Sequence, residues 1–273
     1  MIKAEPAIAL PPSHQQALQR AVMNLENQDF AARLADYAGR PIARAMRLMP
    51  KAASDHFNKV VEAAILKALN IAIRSIEPRS KRPPARHTAS VLAGVSGGIG
   101  GFLGIAALPI ELPVTTTLML RAIADIARHH GEDLSTLEAR LACVEVFALG
   151  TPQADRQMGL SYYASRTLIS RLAANATSIL LERGTANVSA PVVSSLVSEI
   201  ATRFGVVVTE RSAASALPVL GAVGGATVNM IFMNHFQRVA SGHFAIRKLE
   251  RLHGQSVLRQ HYQIYGSRPK IMR

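Results

Sequence analysis

The sequence predicts an all-α fold, a multi-helix bundle with two glycine-lined central helices. Three observations point there. Alanine and aliphatic residues dominate, aromatic residues make up 5% of the chain and tryptophan is absent, which suits helices better than a many-stranded sheet. Apolar residues recur at helical spacing between marked starts and stops. Two uncharged runs, Thr88 to Ile110 and Ser212 to Asn234, carry glycines spaced about one helical turn apart. With 273 residues the chain can bury a sizeable core.

Ser13 precedes a first helical run that ends near Gly39, and Pro41 opens a second reaching about Ile76, with a bend expected at Pro50. Residues 1–77 therefore read as an N-terminal helical region. In "RSIEPRSKRPPARH" prolines forbid a continuous helix and cations dominate, so 78–87 reads as a basic linker. The main helical domain follows over 88–265. Its first clear helix runs from Pro113 to His129, with Gly131 as its cap. Ser135 and Glu138 form a capping box for "STLEARLACVEVFALG", which stops at Gly150-Thr151-Pro152. A longer helix spans about Asp155 to Glu182 and closes at Gly184, and Ser189 with Pro191 begins another that reaches Phe204. Val206 to Glu210 has strand propensity, but one strand makes no sheet, so it reads as helix. The last helix extends from Pro218 to His253 and stops at Gly254; 266–273 is a loose basic tail.

The pairs Gly94/Gly98, Gly97/Gly101 and Gly100/Gly104, matched by Gly221/Gly225, line faces that another helix backbone can approach closely, and Asn229 continues the second face as a hydrogen-bonding residue. Both runs have about the length that spans a bilayer, and cations flank both. Small polar residues dilute the first and Asn229 interrupts the second. Two readings stay open: a helix pair inside a soluble core, and a hairpin that inserts into or rests on a membrane.

A formal net charge of +13 attracts anionic partners. Arg74, Arg79, Lys81, Arg82 and Arg86 stand before the first uncharged run and are the expected contacts for anionic membrane lipid. Nucleic acid fits poorly, since aromatic residues for stacking are scarce and no reading module is recognisable. A protein partner is compatible with the sequence, and the oligomeric state stays open. Cys143 is the single cysteine, which excludes a disulfide framework and a cysteine zinc site. "MIKAEPAIALPPSHQQ" lacks the apolar core of a signal peptide, so the expected location is cytoplasmic, with the cytoplasmic face of the membrane open as its site there.

No catalytic residue is assigned. Gly94-Val95-Ser96-Gly97-Gly98 matches G-x-S-x-G, but that elbow requires a strand before the serine in an alternating α/β chain. The glycine signatures of nucleotide sites are missing, so no cofactor is expected. His129 and His130 are adjacent, point apart and sit in a basic C-terminal turn that favours cations, so no metal site is expected. His235 and His243 read as helix-surface or core residues. Glu111, held between Pro109 and Pro113, is expected to be partly buried beside the free N–H groups of the helix starting at Pro113. Arg121 is its candidate cation, with Asp125 beyond it, and Thr115, Thr116 and Asn229 complete the polar candidates. An enzyme using Ser96, or Glu111, Arg121 and Asp125, is one alternative; a soluble scaffold for a protein or nucleic acid is another.

The blocks "GGIGGFLG…LPIELPVTTTLMLRAIADIA", "GEDLSTLEARLACVEVFALG" and "LGAVGGATVN…HFAIRKLERLHG" resemble, in order, those of EcsC family proteins, over about Arg86 to Tyr265. Glu111-Leu112-Pro113 with Thr115, Thr116 and Arg121 is the most specific part. The family takes its name from a gene linked to an ABC transporter, and the resemblance implies a helical protein with a place at the membrane. It carries over no catalytic residue.

Overall fold

The computed structural model describes residues 10–26, 51–75, 108–150, 162–184, 190–215 and 221–266, and among these every regular element is an α-helix. In chain order they are α1 (Pro12–Glu26), α2 (Lys51–Ser75), α3 (Leu108–His129), α4 (Leu137–Leu149), α5 (Tyr162–Arg183), α6 (Pro191–Ser215), α7 (Gly221–His253) and α8 (Gln255–Gly266).

Helix α4 is the axle. It is apolar nearly all round, with Ala139 and every residue from Leu141 to Leu149 buried, and it touches α2, α3, α5, α6 and α7. Around it Phe147, Phe204, Phe232 and Phe236 pack with ring centroids 5.1–5.9 Å apart, tilted or edge-on. Gly150 ends α4 against the Phe236 ring, where a methyl group would collide, and His235 Nε2 sits 2.6 Å from the Gly150 carbonyl. The segment Pro191–Arg211 of α6 is long and apolar enough to cross a membrane, with mean hydropathy 1.4, but half of it is buried. Its packing against α2, α4, α5 and α7 accounts for that character as core.

Helices α1 and α2 share this core. α2 packs on α3, α4 and α6, while α1 lies on α7 and α8. The α1–α7 crossing is close at Gly242, where a Cβ would stand 2.8 Å from Leu25 Cγ and 2.9 Å from the Ala21 carbonyl oxygen. This glycine, outside both uncharged runs, makes the tight helix approach that the described residues display. Gly221 and Gly225 belong to the first turns of α7, with surroundings outside the described residues, as are Gly94, Gly97, Gly98, Gly100, Gly101 and Gly104.

Several predicted stops occur as left-handed glycines: Gly131, Gly184 and Gly254 have φ of 81°, 82° and 85°. At Gly131 the bonds Glu132 N–H to Ala127 C=O, 3.0 Å, and Gly131 N–H to Arg128 C=O, 2.9 Å, close α3 in a Schellman motif. Four boundaries differ from expectation. α3 begins at Leu108, so Pro113 lies inside it. The cap of α4 is Thr136 in place of Ser135: its Oγ1 accepts from Ala139 N–H at 3.3 Å, while the Ser135 N–H is taken by Asp133 Oδ1 at 2.9 Å. α6 runs past Phe204 to Ser215, because Val207 and Val208 are buried in the bundle, which overrides their strand propensity. After Gly254 the chain forms α8, whose Leu258 and Tyr262 pack inward.

Candidate functional site

The bundle has two chemically distinct ends. At one, Arg211 near the C-terminus of α6 pairs with Glu111 in the first turn of α3, and its guanidinium lies 5.2 Å over the Phe232 ring of α7. The pair is nearly dry, with side-chain exposures of 4% and 10%. Thus the start of α3, the end of α6 and the Phe232 turn of α7 are tied together. Asn229 is fully buried nearby, three residues before Phe232. Thr116 and Thr117 donate to the carbonyls of Leu112 and Pro113 at 2.5 and 2.7 Å, whereas the fully buried Thr115 hydroxyl has no partner among the described residues. Around this knot Ile110, Val114 and Met230 are exposed, and burial pushes the Glu210 carboxyl up to about 7.

Arg121 is not the partner of Glu111. Because the helix already includes Glu111, ten residues separate the two by about 15 Å along its axis. Arg121 is exposed, and Asp125 pairs with Arg128. The acid–base trio therefore does not assemble, and Ser96 lies outside the described residues.

The opposite end is charged. Arg140 at the start of α4 donates to the carbonyls of Leu134, 2.6 Å, and Ile73, 2.9 Å, which brings the end of α2 here, with the exposed Arg74. Arg79, Lys81, Arg82 and Arg86 lie outside the described residues. On α7, Arg247 makes a two-pronged pair with Glu132 at 3.0 Å for both bonds, and Arg251 joins the same carboxylate. Burial alone would raise the Glu132 carboxyl, but Arg247 and Arg251 hold it below the usual carboxylate range. Arg166 of α5 grips Glu250 through both Nη atoms at 2.8 and 2.7 Å, and Tyr163 Oη donates to the same acid at 3.0 Å.

Deeper, Tyr162 Oη lies 2.9 Å from His243 Nδ1, and Ser170 Oγ donates to Glu145 Oε2 at 2.9 Å. Burial, aided by Arg166 and Arg247, holds His243 well below the usual imidazole value. Burial raises the Glu145 carboxyl, which has no direct cationic partner among the described residues. His235 and His243 are thus core residues.

This second constellation was not singled out in the sequence, although a signal exists: His243, Arg247, Glu250 and Arg251 recur at i, i+4, i+7 and i+8, one polar face of a helix. Their partners in α4, α5 and the α3–α4 turn are distant in sequence and invisible to periodicity. Among the described residues no cluster of histidine, cysteine or carboxylate side chains could hold a metal.

Neither the curated proteins nor the solved structures searched contain a match. The EcsC protein family matches residues 13–249, so the likeness begins far before Arg86, includes α1 and α2, and crosses the expected boundary at 77. Since that match covers most of the 273 residues, the chain belongs to the EcsC protein family.

Proposed function

We propose that the protein docks on anionic membranes through the end of the bundle that holds the Glu111–Arg211 pair. The observation that carries this reading is the exposure of Ile110, Val114 and Met230 around the buried Glu111–Arg211 knot. Ile110 and Val114 are one turn apart on α3, so they present one apolar ridge to the surroundings. Exposed apolar groups on this face gain about 25 cal/mol per Å² when a bilayer covers them. The net charge of +13 supplies longer-range attraction to an anionic surface. Arg74 stands at the opposite end, so the apolar ridge makes the contact and the chain's overall charge brings it there. In this reading the charged end faces water, and the protein acts as a membrane-docked binding protein with no bond-making step assigned to it.

Vesicle flotation tests the proposal. The protein floats with anionic vesicles in preference to neutral ones at low salt. Charge attraction is screened over about 10 Å at 0.1 M salt, so only apolar contact survives at high salt. Ile110→Ser with Val114→Ser removes that salt-resistant fraction and leaves the fold intact, because both side chains are exposed. No flotation with anionic vesicles at low salt ends the reading and leaves the soluble scaffold as the better account.

A further inference from the structure

The charged end carries an open cavity of about 320 Å³ lined by Glu138, Arg166, Arg247, Glu250, Arg251 and Gln255. That is the lower limit of volumes typical of small-molecule sites. We propose that this cavity binds a phosphate monoester, with its phosphoryl oxygens taken by Arg247 and Arg251.

The donors and charges carry the argument. Arg166 is committed to Glu250 through both Nη atoms. Arg247 turns Nε and Nη2 toward Glu132, and among the described residues its Nη1 amino group has no hydrogen-bond partner. Arg251 gives Nη1 to Glu132 and Nη2 to the His130 carbonyl, and keeps further N–H groups on a side chain 43% exposed. Three guanidinium groups stand against two inner carboxylates, Glu132 and Glu250, which leaves one positive charge in excess. Glu138 does not cancel it firmly: it meets Arg247 at 3.5 Å from a side chain 76% exposed, and can swing into solvent.

A carboxylate offers two oxygens in one plane. A phosphate monoester offers three terminal oxygens in a tetrahedral array, which suits donors arriving from two arginines and the Gln255 amide. The inner carboxylates hold the arginine stems before any ligand arrives, which lowers the ordering cost of binding. The cavity lies at the far end of α7 from Phe232, away from the apolar ridge, so a ligand enters from water. The same chemistry occurs on a phosphatidic acid headgroup, and the test separates the two sources.

The full-length protein is titrated calorimetrically with inorganic phosphate and with glycerol 3-phosphate, glycerol serving as the neutral control, and is floated with phosphatidic acid vesicles. Saturable binding of both phosphates is expected. Arg251→Gln, at a partly exposed position that leaves the Arg247–Glu132 pair in place, weakens it about tenfold, the effect of a lost charge-assisted hydrogen bond. Glu138→Gln strengthens it roughly threefold by removing a competing surface carboxylate. An Arg251-dependent response confined to the vesicles keeps the site and assigns it a lipid headgroup. No saturable binding of any of these probes up to about 10 mM, corresponding to an affinity weaker than roughly 3 kcal/mol, or equal binding by wild type and Arg251→Gln, overturns the proposal.

Discussion

Glu111 and Arg211 lie a hundred positions apart in the chain and face each other in near-complete dryness. Such a pair pays heavily for desolvation, so its removal as a unit is far less damaging than the loss of one member, which strands a buried charge. Glu111→Gln or Arg211→Met alone is expected to cost about 3–5 kcal/mol in urea unfolding. The double variant should lose clearly less than the two single losses added together; simple additivity would mean that the groups do not act as a pair. Glu145 tests burial in another way. Its carboxyl titrates above the usual value because it is buried, so the native state keeps a proton that the unfolded chain releases. Stability therefore falls as pH rises above the ordinary carboxylate value of 4.5 toward the raised native one. Glu145→Gln keeps the shape and an acceptor for Ser170, so it should raise Tm at pH 7–8 and leave it unchanged near pH 4. Each kcal/mol corresponds to about 2–4 °C for a chain of this size. An equal shift at both pH values would contradict a protonated buried acid.

At the scale of elements, two glycines in helix interiors separate packing from propensity. Gly242 meets α1 so closely that an alanine methyl would press on the Ala21 carbonyl, a backbone atom that cannot rotate away. Among the described residues, a Cβ at Gly205 would meet only Val61 Cγ1, at 3.9 Å, an ordinary contact. Gly242→Ala should cost about 1–3 kcal/mol by overpacking, whereas Gly205→Ala should gain about 0.5–1 kcal/mol from helix propensity. Thermal unfolding of the two variants checks the opposite signs. Tyr262 of α8 stacks on Tyr162 with centroids 5.4 Å apart and donates to Glu26 of α1 at 2.6 Å, so the last helix ties the first one to α5.

For the whole molecule, the placement of charge is the main feature. The Arg247–Glu132 and Arg166–Glu250 pairs gather at one end, while the other buries the Glu111–Arg211 pair and exposes Ile110, Val114 and Met230. Glu210 sits next to Arg211, and burial pushes its carboxyl up to about 7. It is therefore largely neutral at pH 6 and ionised at pH 8. If this end meets the bilayer as proposed, vesicle binding should strengthen from pH 8 to pH 6, since a neutral carboxyl costs less to cover with lipid. Glu210→Gln should flatten that dependence, and an unchanged pH profile in the variant would assign it to other groups.

Much of this architecture is legible in the sequence. Helix content, the stops at Gly131, Gly184 and Gly254, and the helical reading of Val206 to Glu210 follow from local chemistry: backbone freedom at glycine, capping, and apolar period. The burial of Glu111 between two prolines was also readable, and so was the family. What the sequence alone could not decide is which groups meet. Arg121 is near Glu111 in sequence and far from it in space, while Arg211 is the reverse. The charged cavity draws on α4, α5, α7 and α8, and its pairs span more than eighty positions. Periodicity states which face of a helix is polar, because that depends on turns of one helix. Only the packing of helices against one another, set by how closely Gly242 lets α1 approach and how Gly150 receives Phe236, decides which polar faces meet to form a site.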